Sequence, residues 1–414
     1  MAGGARRACA SALVVVRRGG ADLSILVGAV GLSALGDWIA LVPLTLHLQE
    51  ATGSGITNAL LYIAFWAPSV VLAGPAGLLA DRYDPRRVLL IASLAQATVA
   101  VVLAFAAGTA VILVLAALLG VGFAVAQPAE FALVPRVAGE ARLALANGRV
   151  ETARYAGFAV GPLIGGILAA AGGLQVAMVV NAATFLAVGV AATVVRCPHS
   201  DFCLAPEPAV GRAWTGAKYL VQDRVLAVVM TVSFVSLLFM TTNWAANVFF
   251  AKGDLGLGDV GYGLLLTSWT AGMVLGATLL PRRVGSGVLA LSALVAIVVQ
   301  GLGLAGPALW LVPALAFTFF FIGGVAHGTK NVLIRTLIHE RVPSSLHGRA
   351  FAAYNGLRNA AELVALVAGG LLVSTLGARW TMLLAGAIPM AAGLVALALS
   401  RRRLAEPAVG GAHA

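Results

Sequence analysis

The sequence predicts an all-α integral membrane protein with twelve transmembrane helices in two pseudo-symmetric six-helix bundles. Three observations support this fold class. The 414 residues are 60% hydrophobic and only 10% charged, and a soluble chain of this length cannot bury so much apolar surface. Long charge-poor runs recur from one end of the chain to the other. The period-2 alternation of a transmembrane β-barrel is absent from these runs.

Twelve predicted spans follow one another along the chain, each long enough to cross a hydrocarbon core about 30 Å thick. Their centres lie near residues 36, 68, 98, 119, 161, 185, 237, 271, 296, 319, 365 and 389. The apolar stretch before the first span is too short to cross a membrane. It also lacks a convincing cleavage site, so we do not interpret it as a signal peptide.

The distribution of arginine predicts the orientation. Basic clusters occur at both ends of the chain and in every second connection, whereas the other connections hold only Lys252 and Arg379. By the positive-inside rule, both termini are expected in the cytoplasm of a multi-pass protein of the cell inner (plasma) membrane. The net charge of +11 is spread between spans rather than gathered on one domain, which argues against a nucleic-acid partner.

The longest polar segment divides the chain into two halves. We expect an N-terminal six-helix bundle over residues 1–195, a cytoplasmic central loop over 196–222, a C-terminal six-helix bundle over 223–400 and a cytoplasmic tail over 401–414. The end of the loop, AWTGAKYLVQDR, indicates a helix on the membrane surface. Cys197, His199 and Cys203 match no zinc spacing, so no metal is expected.

The two halves show a weak internal repeat. An offset of 204 residues places Gly165-Gly166 on Gly369-Gly370 and Arg154 on Arg358. Each match is weak by itself, but the matches keep their order along the chain. A parallel repeat of two six-helix bundles is typical of one transporter architecture.

A short cytoplasmic loop, GPAGLLADRYDPRRVLL at 74–90, is a candidate gating loop. A carboxylate here can cap a helix N-terminus or pair with an arginine of the opposite bundle; the alternative is a loop that only sets topology. The stretch resembles the signature loop of the major facilitator superfamily, with Asp84 in place of the usual turn glycine, as in macrolide and siderophore exporters. The matching residues are Gly77, Asp81, Arg82, Arg86 and Arg87.

The fifth predicted span, GRVETARYAGFAVGPLIGG at 148–166, is rich in glycine. It resembles the helix 5 motif of the drug:proton antiporters of this superfamily, and that resemblance implies export. The matching residues are Gly148, Gly157, Gly161, Pro162, Gly165 and Gly166. Glycines four residues apart line one helix face and allow close packing, and the alternative is generic small-residue packing. In one departure, Ala116 stands where many proton antiporters carry an arginine.

Several ionisable residues fall within predicted spans, where charge is costly and therefore marks candidate sites. Asp37 lies near the middle of the first span. We expect it either to exchange a proton during transport or to accept structural hydrogen bonds. Charges near the inner helix ends are expected to form local pairs or gates between bundles: Glu130, Glu151, Arg154, Arg358 and Glu362. His327 and Lys330 lie in the tenth span, and the histidine is expected to be a hydrogen-bonded structural residue.

Asn243, Trp244, Asn247 and Trp269 are candidate cavity residues. Such side chains suit an amphipathic organic cargo, and the alternative is packing or anchoring at the membrane interface.

These features together predict a secondary active transporter that carries small amphipathic compounds, drug-like or siderophore-like, out of the cell in exchange for protons. We expect alternating access, a role in multidrug resistance, no cofactor, and a monomer whose partners are lipid, substrate and protons. The alternative is an importer of a small organic solute with the same fold. No G-x-x-x-x-G-K-[ST] loop and no His-x-x-x-x-Asp pair occur, which argues against ATP drive and against a membrane acyltransferase. A further alternative is a sensor that does not transport. Such a protein would release no protons when cargo is added.

Overall fold

A computed structural model describes residues 2–139, 142–197, 222–279, 281, 284–343 and 346–400 of the chain. The described residues are helical almost throughout. The helices are α1 (Ala2–Thr52), α2 (Gly55–Val71), α3 (Ala73–Arg82), α4 (Pro85–Ala104), α5 (Thr109–Ala138), α6 (Leu143–Val194), α7 (Arg224–Phe249), α8 (Asp259–Leu279), α9 (Leu289–Leu309), α10 (Pro313–Arg341), α11 (His347–Leu376) and α12 (Ala378–Ser400). A π-helical turn, Phe250–Asp254, extends α7, and a 3₁₀ turn, Ser286–Val288, precedes α9.

The all-α membrane fold is confirmed, and twelve α-helices lie within the described residues, although they do not match the twelve predicted spans one to one. α2 and α3 form one predicted span bent by 56°. α6 contains two predicted spans joined at Gly172 and Gly173, whose backbone is not helical; Gly173 has φ 64°, a conformation that favours glycine. Within the described residues, nine helices are long and apolar enough to cross a membrane, or ten if α2 and α3 count together. The chain is therefore a multi-pass membrane protein.

Aspartates begin two of the helices. The Asp84 carboxylate accepts a hydrogen bond from the backbone N–H of Arg86, 3.0 Å away, and Pro85 occupies the first turn of α4. Asp223 accepts from the N–H of Leu226 at 2.8 Å and begins α7 in the same way. Such caps satisfy backbone donors that the helix itself leaves without a partner.

Contacts divide the chain into two compact units. The first unit takes the chain up to Leu44 and from Ala64 to the central segment; the second takes Thr45–Ile63 and the chain beyond that segment. The end of α1 and the start of α2 therefore belong with the C-terminal helices, a grouping that the sequence did not indicate. The division into bundles at 195 and 223 stays a prediction. The proposed surface helix lies outside the described residues up to position 221, as do His199, Cys203 and the tail.

In the second unit, Thr45–Ile63 is held by polar and aromatic contacts. The ammonium of Lys252 lies 2.6 Å from a carboxylate oxygen of Glu50 and 2.8 Å from one of Asp259. The Tyr62 and Trp244 rings lie 5.7 Å apart, centroid to centroid. These contacts join the first two helices of the chain to α7 and α8.

Each unit has its own apolar core. In the first unit, buried residues of α1, α4, α5 and α6 form one cluster that includes Leu26, Leu89, Leu133 and Val150. In the second, α7, α9 and α10 contribute Leu226, Val229, Ile297 and Ile334 to another. The polar side chains that are buried in each unit lie among the helices that form its core.

Candidate functional site

The glycine face of α6 packs directly on α1 inside the first unit. A Cβ at Gly157 would lie 2.6 Å from the Gly31 carbonyl oxygen, and one at Gly161 would lie 2.7 Å from Cβ of Trp38. Both distances are too short for a side chain, so these glycines let the two backbones approach each other. Pro162 and Gly166 are buried in the same helix, whereas no atom lies within 4 Å of a Cβ at Gly148.

Three charged residues of the first unit form a buried cluster next to this contact. Asp37 of α1 is 2% exposed and Glu130 of α5 is 5% exposed. A guanidinium nitrogen of Arg154, on α6, lies 3.4 Å from a carboxylate oxygen of Glu130. The same guanidinium lies over the Phe131 ring, 4.8 Å from its centroid. Close packing of α6 on α1 therefore brings one arginine to two acids that are remote in sequence.

The cluster holds more acid than base. Glu130 and Arg154 are the charged groups that act electrostatically on Asp37, and Oδ1 of Asp37 has no hydrogen-bond partner among the described residues. A charged group in an apolar interior is costly unless it is paired. With two carboxyl groups and one guanidinium, the cluster is electrically neutral when it carries one extra proton.

The other predicted charge pairs differ in their outcome. Arg154 pairs with Glu130 on α5, while Glu151, three residues earlier on α6, is partly buried and pairs with no described residue. In the second unit, Nε of Arg358 donates to a carboxylate oxygen of Glu362, 2.9 Å away and one turn later on α11. The second pair is local to its helix, and the first joins two helices.

In the candidate gating loop, the carboxylate that caps a helix N-terminus is that of Asp84. Its carboxylate caps α4 and also pairs with the Arg86 guanidinium at 2.9 Å. Hydrogen bonding to Arg86 lowers the pKa of Asp84 below its ordinary value. Arg82 and Arg87 are exposed, and no atom lies within 4 Å of a Cβ at Gly77. The side chain of Asp81 lies outside the described part of the chain.

The four candidate cavity residues are packed inside the second unit. Nδ2 of Asn247 donates to Oδ1 of Asn243 at 2.7 Å, and Nδ2 of Asn243 donates to the Met240 carbonyl at 2.6 Å. The Trp244 ring is tilted by 51° against that of Tyr62, and the centroid of the Trp269 ring, 8% exposed, lies 6.0 Å from that of Phe320. Their contact with cargo stays a prediction.

A cleft of about 350 Å³ opens elsewhere in the second unit, between α7, α10 and α11. The sequence placed Lys330 in the tenth span but did not group it with residues of α7 or α11. The sequence signals for this site are three ionisable residues within long apolar helices, His327, Lys330 and Arg358. The cleft is lined by Ser233, Phe234, Leu237, His327, Lys330, Asn331, Ile334, Tyr354 and Arg358.

A chain of hydrogen bonds fixes one wall of this cleft. Nδ1 of His327 lies 3.3 Å from Oε1 of Gln300, and Nε2 lies 3.0 Å from Nδ2 of Asn331. Gln300 donates in turn to Ser236 at 3.3 Å. Because the Gln300 oxygen can only accept, Nδ1 carries the proton and Nε2 accepts from Asn331. His327 is therefore hydrogen-bonded at both ring nitrogens as a neutral imidazole.

Known proteins resemble the chain over nearly its whole length. It is 25% identical over 411 residues to "Uncharacterized MFS-type transporter YfiS" of Bacillus subtilis, covering 94% of this chain and 97% of that one. It is 28% identical over 385 residues to the lysophospholipid transporter LplT of Serratia proteamaculans, with 90% and 94% coverage. The crystal structure of the nucleoside transporter NupG superposes with a TM-score of 0.72 at 13% identity, over 92% of this chain and 100% of that chain.

The sequence profile of the Major Facilitator Superfamily matches residues 26–365, which is most of the chain. The resemblance first noted in two short motifs thus extends over both units. The chain belongs to the Major Facilitator Superfamily.

Proposed function

We propose that this protein is a secondary active transporter that moves small amphipathic organic compounds out of the cell by alternating access, in exchange for protons. The observation that carries the proposal is the cluster of Asp37, Glu130 and Arg154, with two acids and one base buried together. This proposal places the protein with the exporters that its two motifs resemble. It also takes the protein to be a monomer that needs no cofactor.

The cluster supports proton coupling through its charge balance. Glu130 has a partner in Arg154, whereas Oδ1 of Asp37 has none among the described residues. Asp37 is therefore the better candidate to gain and lose the extra proton. A structural hydrogen-bond acceptor would have a donor at this atom, so the unpartnered oxygen favours the coupling role.

The driving force is sufficient for uphill export. One pH unit supplies about 1.4 kcal/mol per proton, and a membrane potential of 100 mV supplies about 2.3 kcal/mol more per charge. In this exchange protons enter the cell as cargo leaves it, so the face with the arginine-rich connections must lie on the cytoplasmic side. The arginine-rich connections support that orientation, with both termini inside the plasma membrane.

The alternative is an importer of a small organic solute. The names of two relatives, an MFS-type transporter and a lysophospholipid transporter, state no direction of transport, so the direction needs a direct test. Transport assays in right-side-out and inverted vesicles separate the two directions. Export predicts proton-driven accumulation in inverted vesicles, and import predicts accumulation in right-side-out ones.

Proton coupling is tested with purified protein in liposomes that enclose a pH-sensitive dye. Addition of cationic, neutral and anionic amphipaths is expected to cause proton movement with at least one class. Asp37→Asn should abolish it and leave cargo binding in place. Glu340→Gln, which removes an exposed acid of α10, is the matched control and should behave as wild type. Undiminished proton-driven transport by Asp37→Asn would exclude the coupling role of this residue.

A further inference from the structure

We propose that the cleft between α7, α10 and α11 binds the anionic group of an amphipathic substrate, a carboxylate, phosphate or sulfonate attached to an apolar body. The inference rests on the proposed transport function and names its substrate class. It is carried by one buried cation, Lys330, and by the side chains that surround it.

Lys330 is a buried ammonium group without a compensating partner. It is 3% exposed, and none of the hydrogen bonds or ion pairs within the described residues involves it. Arg358 and Glu362 are the charged groups that act on it. These three groups hold two cations and one acid, and the acid pairs with Arg358, so one positive charge remains uncompensated. An anion placed in the cleft would supply the missing partner and offset the cost of burying this charge.

The polar lining of the cleft suits an anion better than a cation. Lys330, Arg358, Asn331 and the Tyr354 hydroxyl all carry donors, and none of the described residues that line the cleft is an aspartate or glutamate. The amide of Asn331 is held by Nε2 of His327 at 3.0 Å, which is itself fixed through Gln300. Donors held in place before binding lose little freedom when a ligand arrives, and this favours affinity.

The apolar part of the lining indicates what the anion is attached to. Phe234 and Leu237 of α7 and Ile334 of α10 lie beside the donors. The cleft is open to its surroundings, and the space of about 350 Å³ includes its mouth. The anionic headgroup would therefore lie at the opening beside Lys330, with the apolar body against these three side chains and beyond the cleft.

The test measures binding to the full chain purified in a non-ionic detergent. The probes are dodecyl phosphate, dodecyltrimethylammonium with the same chain, and inorganic phosphate without one. We expect dodecyl phosphate to bind and to raise the unfolding temperature of the wild type. Lys330→Gln should weaken this binding about tenfold or more, as for loss of a charge-assisted hydrogen bond, and Lys330→Arg should restore most of it.

Arg335→Gln is the matched control, because it removes an exposed cation from the same helix; it should leave binding unchanged. Lys330→Gln without ligand should unfold no earlier than the wild type, since it removes an unpaired buried charge. Equal binding of dodecyl phosphate to the wild type and to Lys330→Gln would overturn the site. If inorganic phosphate binds as tightly as dodecyl phosphate, the inference that the substrate has an apolar body is wrong.

The two proposals fail differently in liposomes. If only cationic or neutral amphipaths are transported, and Lys330→Gln has no effect, the anion site is wrong and the transport function stands. If no amphipath of any charge moves although dodecyl phosphate binds through Lys330, the transport function is wrong and the site stands.

Discussion

A methyl group on Gly165 would lie 2.9 Å from the carbonyl oxygen of Trp38. In the second unit, a methyl group on Gly369 would lie 2.6 Å from the carbonyl oxygen of Thr242. Both members of the second pair follow those of the first by 204 residues, the offset of the sequence repeat. In each unit, therefore, the backbones at two equivalent positions of the repeat pack against each other. The repeat is present in helix contacts as well as in the sequence.

Gly165→Ala should destabilise the protein. The new methyl group would also lie 3.1 Å from Cβ of Val42, so α1 and α6 must separate, and such overpacking costs about 1–3 kcal/mol. The unfolding temperature in detergent micelles measures this. Gly28→Ala is the control, because it lies in α1 with no atom within 4 Å of its Cβ. Equal unfolding temperatures for the two variants would contradict the close contact.

Arg154→Gln should be strongly destabilising, because it leaves two buried carboxyl groups without their cation. Breaking a buried ion pair typically costs about 3–5 kcal/mol. Glu130→Gln in the same chain should recover part of the loss, since the charge that Arg154 balances is then absent. The four proteins form a double-mutant cycle in unfolding free energy. Effects that simply add, within about 0.5 kcal/mol, would show that the pair is not coupled.

A cross-link between α1 and the turn that follows α7 should stop transport if Thr45–Ile63 must leave the C-terminal helices during the cycle. Glu50→Cys with Lys252→Cys, in a chain with its own cysteines replaced by serine, tests this, because the two native side chains meet at 2.6 Å and a short bifunctional methanethiosulfonate can join the two thiols. Cross-linking should abolish liposome transport, and a reducing agent should restore it.

The control for this cross-link joins two helices of the C-terminal half. Asp223→Cys with Arg341→Cys links the start of α7 to α10, where the two native side chains meet at 3.2 Å. Cross-linking of this pair should leave transport intact. If full transport persists with residues 50 and 252 cross-linked, alternating access of this kind is wrong.

The helices, the repeat and the glycine face could be predicted from the sequence because each depends on local composition or on regular spacing. The partner of Arg154 could not be fixed in this way. Glu151 is nearer in sequence, but Glu130 lies on the helix that packs beside α6. The grouping of Thr45–Ile63 with the C-terminal helices also escaped prediction, because it depends on contacts between residues about 200 positions apart, such as Glu50 and Lys252.

The cleft around Lys330 shows the same limit. Its residues come from three helices, and those of α7 lie roughly a hundred positions before those of α10 and α11, so nothing in their spacing brings them together. A lysine in an apolar helix signals a site, but the geometry of the packed helices is needed to show which groups share it.

The repeated glycine contacts have a practical consequence for engineering. The two halves retain one scaffold but differ in chemistry: an acid-rich cluster with Asp37 in one, an uncompensated lysine in the other. Duplication of an ancestral gene would leave this pattern, with the framework preserved and the charges free to diverge. A library designed to change cargo should therefore randomise the positions around the charges and leave the glycines untouched.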